Sequence, residues 1–361
     1  MAEIKELLGR VSPSIRASEP YGAETPQCRI KLDGNESPFD LTPEARAEML
    51  EFFSQIETNR YPDPDCAELR KLVSKQTGTP PGGILFGNGS DELIQILIET
   101  FCGKSGNVLV PSPTFSMYGI TANALGKNVV EENLDGDFDL DTPAMLSAIR
   151  SHDPDAVFLA SPNSPTGNLL SPSRVEEVIE ASPGIVVVDE AYFSFCGRSV
   201  ISLMDKYENL AVLRTFSKTG FAAIRLGVLF MRPELAAQAE KARLPYNINS
   251  FTQAAARIFF TKNAIFEDNI KAVVSGREKL CASLASIDGI KVFPSDANFF
   301  LIRFPDSASA KRARAGLLEK GILVRGFSGG RVADCLRVTA GLAEENREFE
   351  AALRSVLSRV P

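Results

Sequence analysis

The sequence predicts an α/β protein: a large domain built on a mostly parallel sheet between helices, followed by a smaller α+β unit. Three observations carry this expectation. Between about residue 80 and residue 230, short apolar runs ending in Gly, Pro, Ser or Asp alternate with amphipathic stretches. Runs that are apolar throughout belong to strands buried on both faces, the habit of a parallel sheet covered by helices. After residue 250 that rhythm gives way to a long helix-like segment and a second set of strand-like runs, and 361 residues is more than one core usually supports.

The elements follow in order. Residues 1–40 carry Pro, Gly and Ser with little periodicity and read as an arm packing on the small domain and on a partner. Residues 41–250 form the large domain. Its strand-like runs are GILF (83–86), NVLV (107–110), AVFLA (156–160), IVVVD (185–189), LAVLRTF (210–216) and GVLF (227–230). Helices are expected between them. DELIQILIETF follows Ser90 as an N-cap, and SPSRVEEVIEAS has Ser171 as N-cap with Pro172 at the first helical position. Residues 251–361 form the small domain, entered through one linking helix (251–285) and continued by the strands KVFPS, FFLIRF, GILVRG and CLRVTAG.

Composition narrows the function. A net charge of −7 argues against a nucleic-acid surface, though not against a local basic pocket. The six cysteines (Cys28, Cys66, Cys102, Cys196, Cys281 and Cys335) are scattered with no C-x-x-C, and the one histidine, His152, sits in the polar turn RSHDPD. No metal site is expected from that set, and a Ser-His-Asp mechanism would depend on a histidine expected in a solvated loop. Scattered thiols suit the reducing cytoplasm. The N-terminal MAEIKELLGR has no apolar core and does not read as a signal peptide. The longest uncharged run, 105–126, is broken by Pro111, Pro113 and Asn123 and does not read as a membrane span.

In open α/β sheets ligands bind at the carboxyl ends of the strands, so the residues that follow each apolar run are the candidates for chemistry. GILF leads into Gly87-Asn88-Gly89-Ser90-Asp91-Glu92, a Gly-rich turn into a helix that suits an anion. A dinucleotide fingerprint would need a third glycine where Glu92 stands, so a phosphate without a dinucleotide is the better reading. Phe115 and Tyr118 follow NVLV and could pack or stack on a flat ring. Asn163 sits in the rigid turn SPNSPTG, Asp189 ends IVVVD, and Ser217, Lys218 and Arg225 follow LAVLRTF. Asp189 is costly on such an apolar strand unless it meets a positive group. Lys218 has three readings: a surface lysine, the Lys-Thr-Gly of penicillin-binding enzymes, or a lysine that condenses with an aldehyde. The second also needs S-x-x-K, and no lysine here has serine three residues before it. One ligand accounts for all these strand ends together: pyridoxal 5'-phosphate, whose aldehyde needs a lysine, its pyridine nitrogen a carboxylate, and its phosphate a helix N-terminus with an arginine.

The motifs LDGNESPF (32–39), NRYPDPD (59–65), GNGSDE (87–92), SPNSPTG (161–167), VVVDEAY (186–192), RTFSKTGFAAIRLG (214–227), ANFFLIR (297–303) and CLRVTAG (335–341) resemble the fold-type-I pyridoxal-phosphate-dependent aminotransferases, most of all their histidinol-phosphate aminotransferase group. The resemblance covers nearly the whole chain. It implies a sheet of the seven-stranded type and assigns roles. Lys218 is then the cofactor-linked lysine and general base, and Asp189 the partner of the pyridine nitrogen. Asn163 and Tyr192 bond the phenolic oxygen. Gly89, Ser90, Asp91, Ser217 and Arg225 surround the phosphate. Phe115 stacks on the ring where many relatives have tyrosine. Tyr61 reaches the partner's cofactor in a homodimer. Arg337 clamps a substrate carboxylate, and Tyr21, Asn88 and Arg325 join it in choosing substrate. Thr219 stands where alanine is usual. The activity implied is transfer between L-histidinol phosphate and 2-oxoglutarate in histidine biosynthesis. Aromatic amino acids and threonine phosphate are the substrates of similar proteins. A non-enzymatic regulator of this fold would need a DNA-binding module ahead of motifs that begin by residue 32.

Overall fold

The computed structural model describes residues 3–18, 22 and 26–358. Twelve strands are among them. β1 (Ile30–Leu32) comes first. Then come β2 (Ile84–Asn88), β3 (Asn107–Ser112), β4 (Asn128–Asn133), β5 (Ala156–Ala160), β6 (Ile185–Asp189), β7 (Leu210–Thr215) and β8 (Leu226–Phe230). β9 (Lys291–Val292), β10 (Phe299–Arg303), β11 (Ile322–Gly326) and β12 (Cys335–Thr339) complete the set. The first sheet has the order β2-β8-β7-β6-β5-β3-β4, and the second β1-β11-β12-β10-β9.

The first sheet is an α/β sheet of the expected kind. β4, β3, β5, β6 and β7 run parallel, and only β8 runs antiparallel to its neighbours β7 and β2. Successive side chains on a strand face opposite sides. Val157, Leu159, Val186, Val188 and Val212 enter one core with Val175 and Val178 of the helix Pro172–Ala181. Phe158, Val187 and Leu213 enter another with Leu93 and Leu97 of the helix Ser90–Phe101. Continuous apolar runs are thus the trace of a sheet with two dry faces. The second sheet packs Leu32, Phe300, Ile302 and Val338 against Leu317, Phe349 and Leu353 of the helices Ser307–Glu319 and Ala343–Leu357.

Five details differ from the sequence reading. β4 is an additional strand: it lies at the sheet edge, half-exposed and carrying Glu131 and Glu132, so it lacks the apolar run that marks a central strand. The segment read as one linking helix is two, Ser250–Thr261 and Asn263–Leu284, separated at Lys262. Ser90 is the first residue of its helix and Gly89 the cap. His152 is exposed, but it closes the helix Thr142–His152 instead of sitting in a loop. Within the segment read as an arm, Ile30–Leu32 pairs in parallel with β11 and so extends the second sheet.

Candidate active site

Strand direction gathers the site. β2, β5, β6 and β7 all end at one edge, and β8, running the other way, begins there: Asn88 pairs with Leu226 and Thr215 with Gly227. Asp189 is the last residue of β6 and only 4% exposed. Tyr118 Oη donates to its Oδ2 at 2.7 Å, and the Ala191 amide donates to Oδ1 at 2.9 Å. Burial nevertheless pushes its carboxyl up to about 6, because two hydrogen bonds do not replace full hydration. A carboxylate so placed calls for a cationic partner. Tyr118, wholly buried and stacked on Phe158 at 5.0 Å, has its own hydroxyl pushed well above the usual phenol range by that burial.

Lys218 lies in the wide helical turn Ser217–Phe221, where Gly220 takes φ 113° and lets the chain double back. Its Nζ donates to Gly34 O at 3.4 Å, lies 5.9 Å from the centre of the Tyr192 ring, and makes no ion pair among the described residues. Arg225, at φ 54°, returns the chain to the sheet edge. Its guanidinium donates to Ser217 Oγ at 3.4 Å and pairs with Asp91 Oδ2 at 3.2 Å. A side chain at Gly89 would meet Arg225 Nη2 at 2.4 Å, and one at Gly227 would meet the Gly89 backbone at 2.7 Å. Two glycines therefore bring β8, the arginine and the helix N-terminus together. That helix has no side-chain cap, so its first amides, from Ser90 onward, suit an anion.

A cavity of about 90 Å³ brings together Ser90, Asp91, Phe115, Asp189, Tyr192, Ser217, Lys218 and Arg225, with Tyr118 and Thr215 added. It adjoins a cleft of about 1030 Å³ that shares Phe115, Ser164, Tyr192 and Lys218 with it and is lined farther out by Arg325 and Arg337. These two arginines are register partners on β11 and β12. Arg337 donates to Ser164 Oγ at 3.1 Å and to Asp33 O at 2.6 Å, which spans the two sheets.

Other expected residues stand apart. Asn163 is fully buried: Thr114 Oγ1 donates to its Oδ1 at 2.8 Å, and its Nδ2 protons go to Pro113 O at 2.9 Å and Thr166 Oγ1 at 2.8 Å. Contact with a ligand oxygen would require exchanging one of these bonds. Asn88 lines neither cavity, and its amide donates to Glu92 Oε2. Tyr61 is 80% exposed and stacks on Tyr246 at 4.5 Å, away from both cavities. Tyr21 lies outside the described residues. Sequence reasoning offered Tyr118 only as an aromatic that could pack or stack beside Phe115, not as the hydrogen-bond donor to Asp189, and gave no role to Asn35, which donates to Tyr192 Oη at 2.8 Å from within LDGNESPF.

Residues 29–353 match the family described as Aminotransferase class I and II. A protein named histidinol-phosphate aminotransferase 2 from Nitrosococcus oceani is 40% identical over 348 residues, 96% of each chain. A histidinol-phosphate aminotransferase from a Hydrogenobaculum species is 38% identical, over 97% of this chain and 99% of its own. The crystal structure of histidinol-phosphate aminotransferase from Sinorhizobium meliloti in complex with pyridoxal-5'-phosphate superposes with a TM-score of 0.89, covering 98% of each chain at 22% identity, a likeness of fold.

Proposed function

The chain belongs to the class I and II aminotransferase family, in its histidinol-phosphate aminotransferase group, and from that premise we propose that it moves an amino group between L-histidinol phosphate and 2-oxoglutarate with pyridoxal 5'-phosphate as cofactor. The observation that carries the reading is the small cavity, where a buried carboxylate, a lysine that makes no ion pair among the described residues and an arginine beside a helix N-terminus with no side-chain cap converge. These groups fit the cofactor. Asp189 would hold the ring nitrogen in its protonated form. The Ser90 amide, Ser217 and Arg225 would hold the phosphate. Phe115 would cover one face of the ring, and Tyr192 would meet its phenolic oxygen.

When bound, the cofactor supplies an electron-accepting ring that stabilises negative charge at the substrate's α-carbon. The chain's own groups do the rest. Lys218 lines both the cavity and the cleft, and its Nζ would carry a proton to and from that carbon. Arg337 and Arg325 face the cleft from the second sheet and suit the anionic groups that both substrates carry. The exposed apolar side chains Leu50, Tyr61, Leu244 and Phe251 support a homodimer, in which Tyr61 would serve the neighbouring site. No helix of the described residues is long and apolar enough to cross a membrane, in keeping with a cytoplasmic enzyme.

Side-by-side turnover tests the substrate. With 2-oxoglutarate as acceptor, histidinol phosphate is expected to give a higher kcat/KM than phenylalanine. Threonine phosphate should release no carbon dioxide. Faster turnover of phenylalanine, or decarboxylation of threonine phosphate, would overturn the assignment.

A further inference from the structure

We propose that Asn35 is a positioning residue that fixes the direction in which the Tyr192 hydroxyl donates. The inference rests on the cofactor reading above and deepens it. Asn35 is 1% exposed, on the stretch that follows β1, and takes φ 53°, a backbone state that asparagine tolerates better than most residues.

Its hydrogen bonds determine one another. The Asn35 amide N–H donates to Thr339 Oγ1 at 3.0 Å. Thr339 Oγ1, accepting there, sends its own proton to Asn35 Oδ1 at 3.1 Å. Asn298 Nδ2 donates to the Asn35 carbonyl at 3.0 Å and holds the backbone in place. With Oδ1 accepting from threonine, the side-chain amide has one orientation, and its Nδ2 points at Tyr192 Oη, 2.8 Å away. A phenol that accepts on one lone pair directs its O–H elsewhere. Among the described residues Tyr192 Oη has no second hydrogen-bond partner, and Tyr192 lines the cavity that holds Lys218. The proton is therefore turned into the cavity. Thr339 ends β12 and Asn298 precedes β10, so the second sheet, through Asn35, sets a donor at the edge of the first.

Asn35→Asp tests this without changing shape. Aspartate keeps the acceptor facing Thr339 and tolerates the same backbone, but it places an acceptor where Nδ2 stood. Tyr192 then donates to the carboxylate and is withdrawn from the ring oxygen. That oxygen keeps more negative charge and holds the neighbouring proton more tightly. The visible band of the wild-type protein loaded with pyridoxal phosphate gives the reference titration. In Asn35→Asp the band should titrate about one pH unit higher or more, with a similar shift in Tyr192→Phe. In the double variant, Asn35→Asp should add nothing to Tyr192→Phe. Asn35→Gly accepts the positive φ and removes the amide without adding a charge, so it should shift the band in the same direction by less; it carries the test if the aspartate variant does not fold. The other ionisable groups around this cavity (Asp91, Tyr118, Asp189, Lys218 and Arg225) are unchanged in every variant.

An unmoved titration in both Asn35 variants overturns the inference. So does a shift from Asn35→Asp that persists in full on the Tyr192→Phe background, since that is the new charge acting directly. A wild-type protein that develops no visible band with pyridoxal phosphate overturns the cofactor reading itself, an outcome distinct from a normal wild-type band that the Asn35 variants leave in place.

Discussion

The two adjoining cavities are built on opposite plans. The small one is walled by residues at strand ends of one sheet: Asp189 on β6, Lys218 just past β7, Arg225 just before β8. Leaving aside the shared Lys218, the cleft is walled by long cationic side chains, Lys31, Lys311, Arg314, Arg325, Arg331 and Arg337, against the carboxylates Asp33 and Glu131. Five of the six cations come from residues 311–337, on the helix Ser307–Glu319, on β11 and β12 and on the turn between those strands; Lys31 comes from β1, and Glu131 from β4 of the first sheet. On the proposed function, the difference would house chemistry and choice separately: a small pocket at the strand ends for the reacting groups, and a wider cationic surface for whatever anion is admitted.

If the division is real, damage to the small cavity should stop turnover with every substrate, and damage to the cleft should change preference. Lys218→Ala is the largest effect expected. Turnover should fall by about 10³-fold or more with every amino donor, and the lysine-linked visible band should vanish. The melting temperature of the cofactor-free protein should hardly move, since among the described residues Lys218 makes one long hydrogen bond there. A loss confined to one substrate would break the comparison.

Asp189 comes next. Its folded value, about 6, lies above the ordinary 3.8, so the cofactor-free fold holds that proton more tightly than the unfolded chain does. The stability gained is full below about pH 4 and is lost as pH rises through 6, by up to about 3 kcal/mol. In cofactor-free protein, Asp189→Asn should therefore gain on wild type between pH 4 and pH 8 in denaturant unfolding, while binding the cofactor poorly. A constant difference across that range would mean that the carboxylate is better solvated than its burial implies.

Arg337→Ala should lower kcat/KM for glutamate by more than tenfold, about 2–3 kcal/mol for a charge-assisted pair, with the visible band intact. Equal kinetics would remove the residue from the cleft's working wall. The smallest effect is expected from Tyr118→Phe, which takes one hydrogen bond from Asp189 and should weaken cofactor binding by roughly tenfold, about 1.5 kcal/mol. Equilibrium titration of the visible band would measure it, and an unchanged affinity would show that the Ala191 amide alone holds the carboxylate.

The same division governs what could be read from the sequence. The first sheet and its polar strand ends were legible because continuous burial writes apolar runs, and each run points to the residue after it. β4 was not, because an edge strand with one wet face carries glutamates like any surface segment. Ser90 was read as a cap because serine usually is one. In the structure Gly89 takes that place, since only glycine fits against Arg225. Asn35 stood as a letter in LDGNESPF and Tyr118 as an aromatic that could pack or stack, but their hydrogen bonds reach residues 157 and 71 positions distant in the chain, which no local pattern encodes. Of the cleft's arginines, Arg325 and Arg337 were singled out only through the family resemblance, since by local pattern Arg314 and Arg331 look like any other surface cations.

The turn between Lys218 and Arg225 has one more consequence. Surface loops usually tolerate insertions and deletions, but this one begins in a wide helical turn, passes through Gly220 at φ 113° and ends on Arg225 at φ 54°, with both ends anchored to neighbouring strands. Its residue count therefore works as a ruler that sets Lys218 against Arg225, the arginine proposed to hold the phosphate. Among all the connections at that sheet edge, its length is the quantity least free to drift.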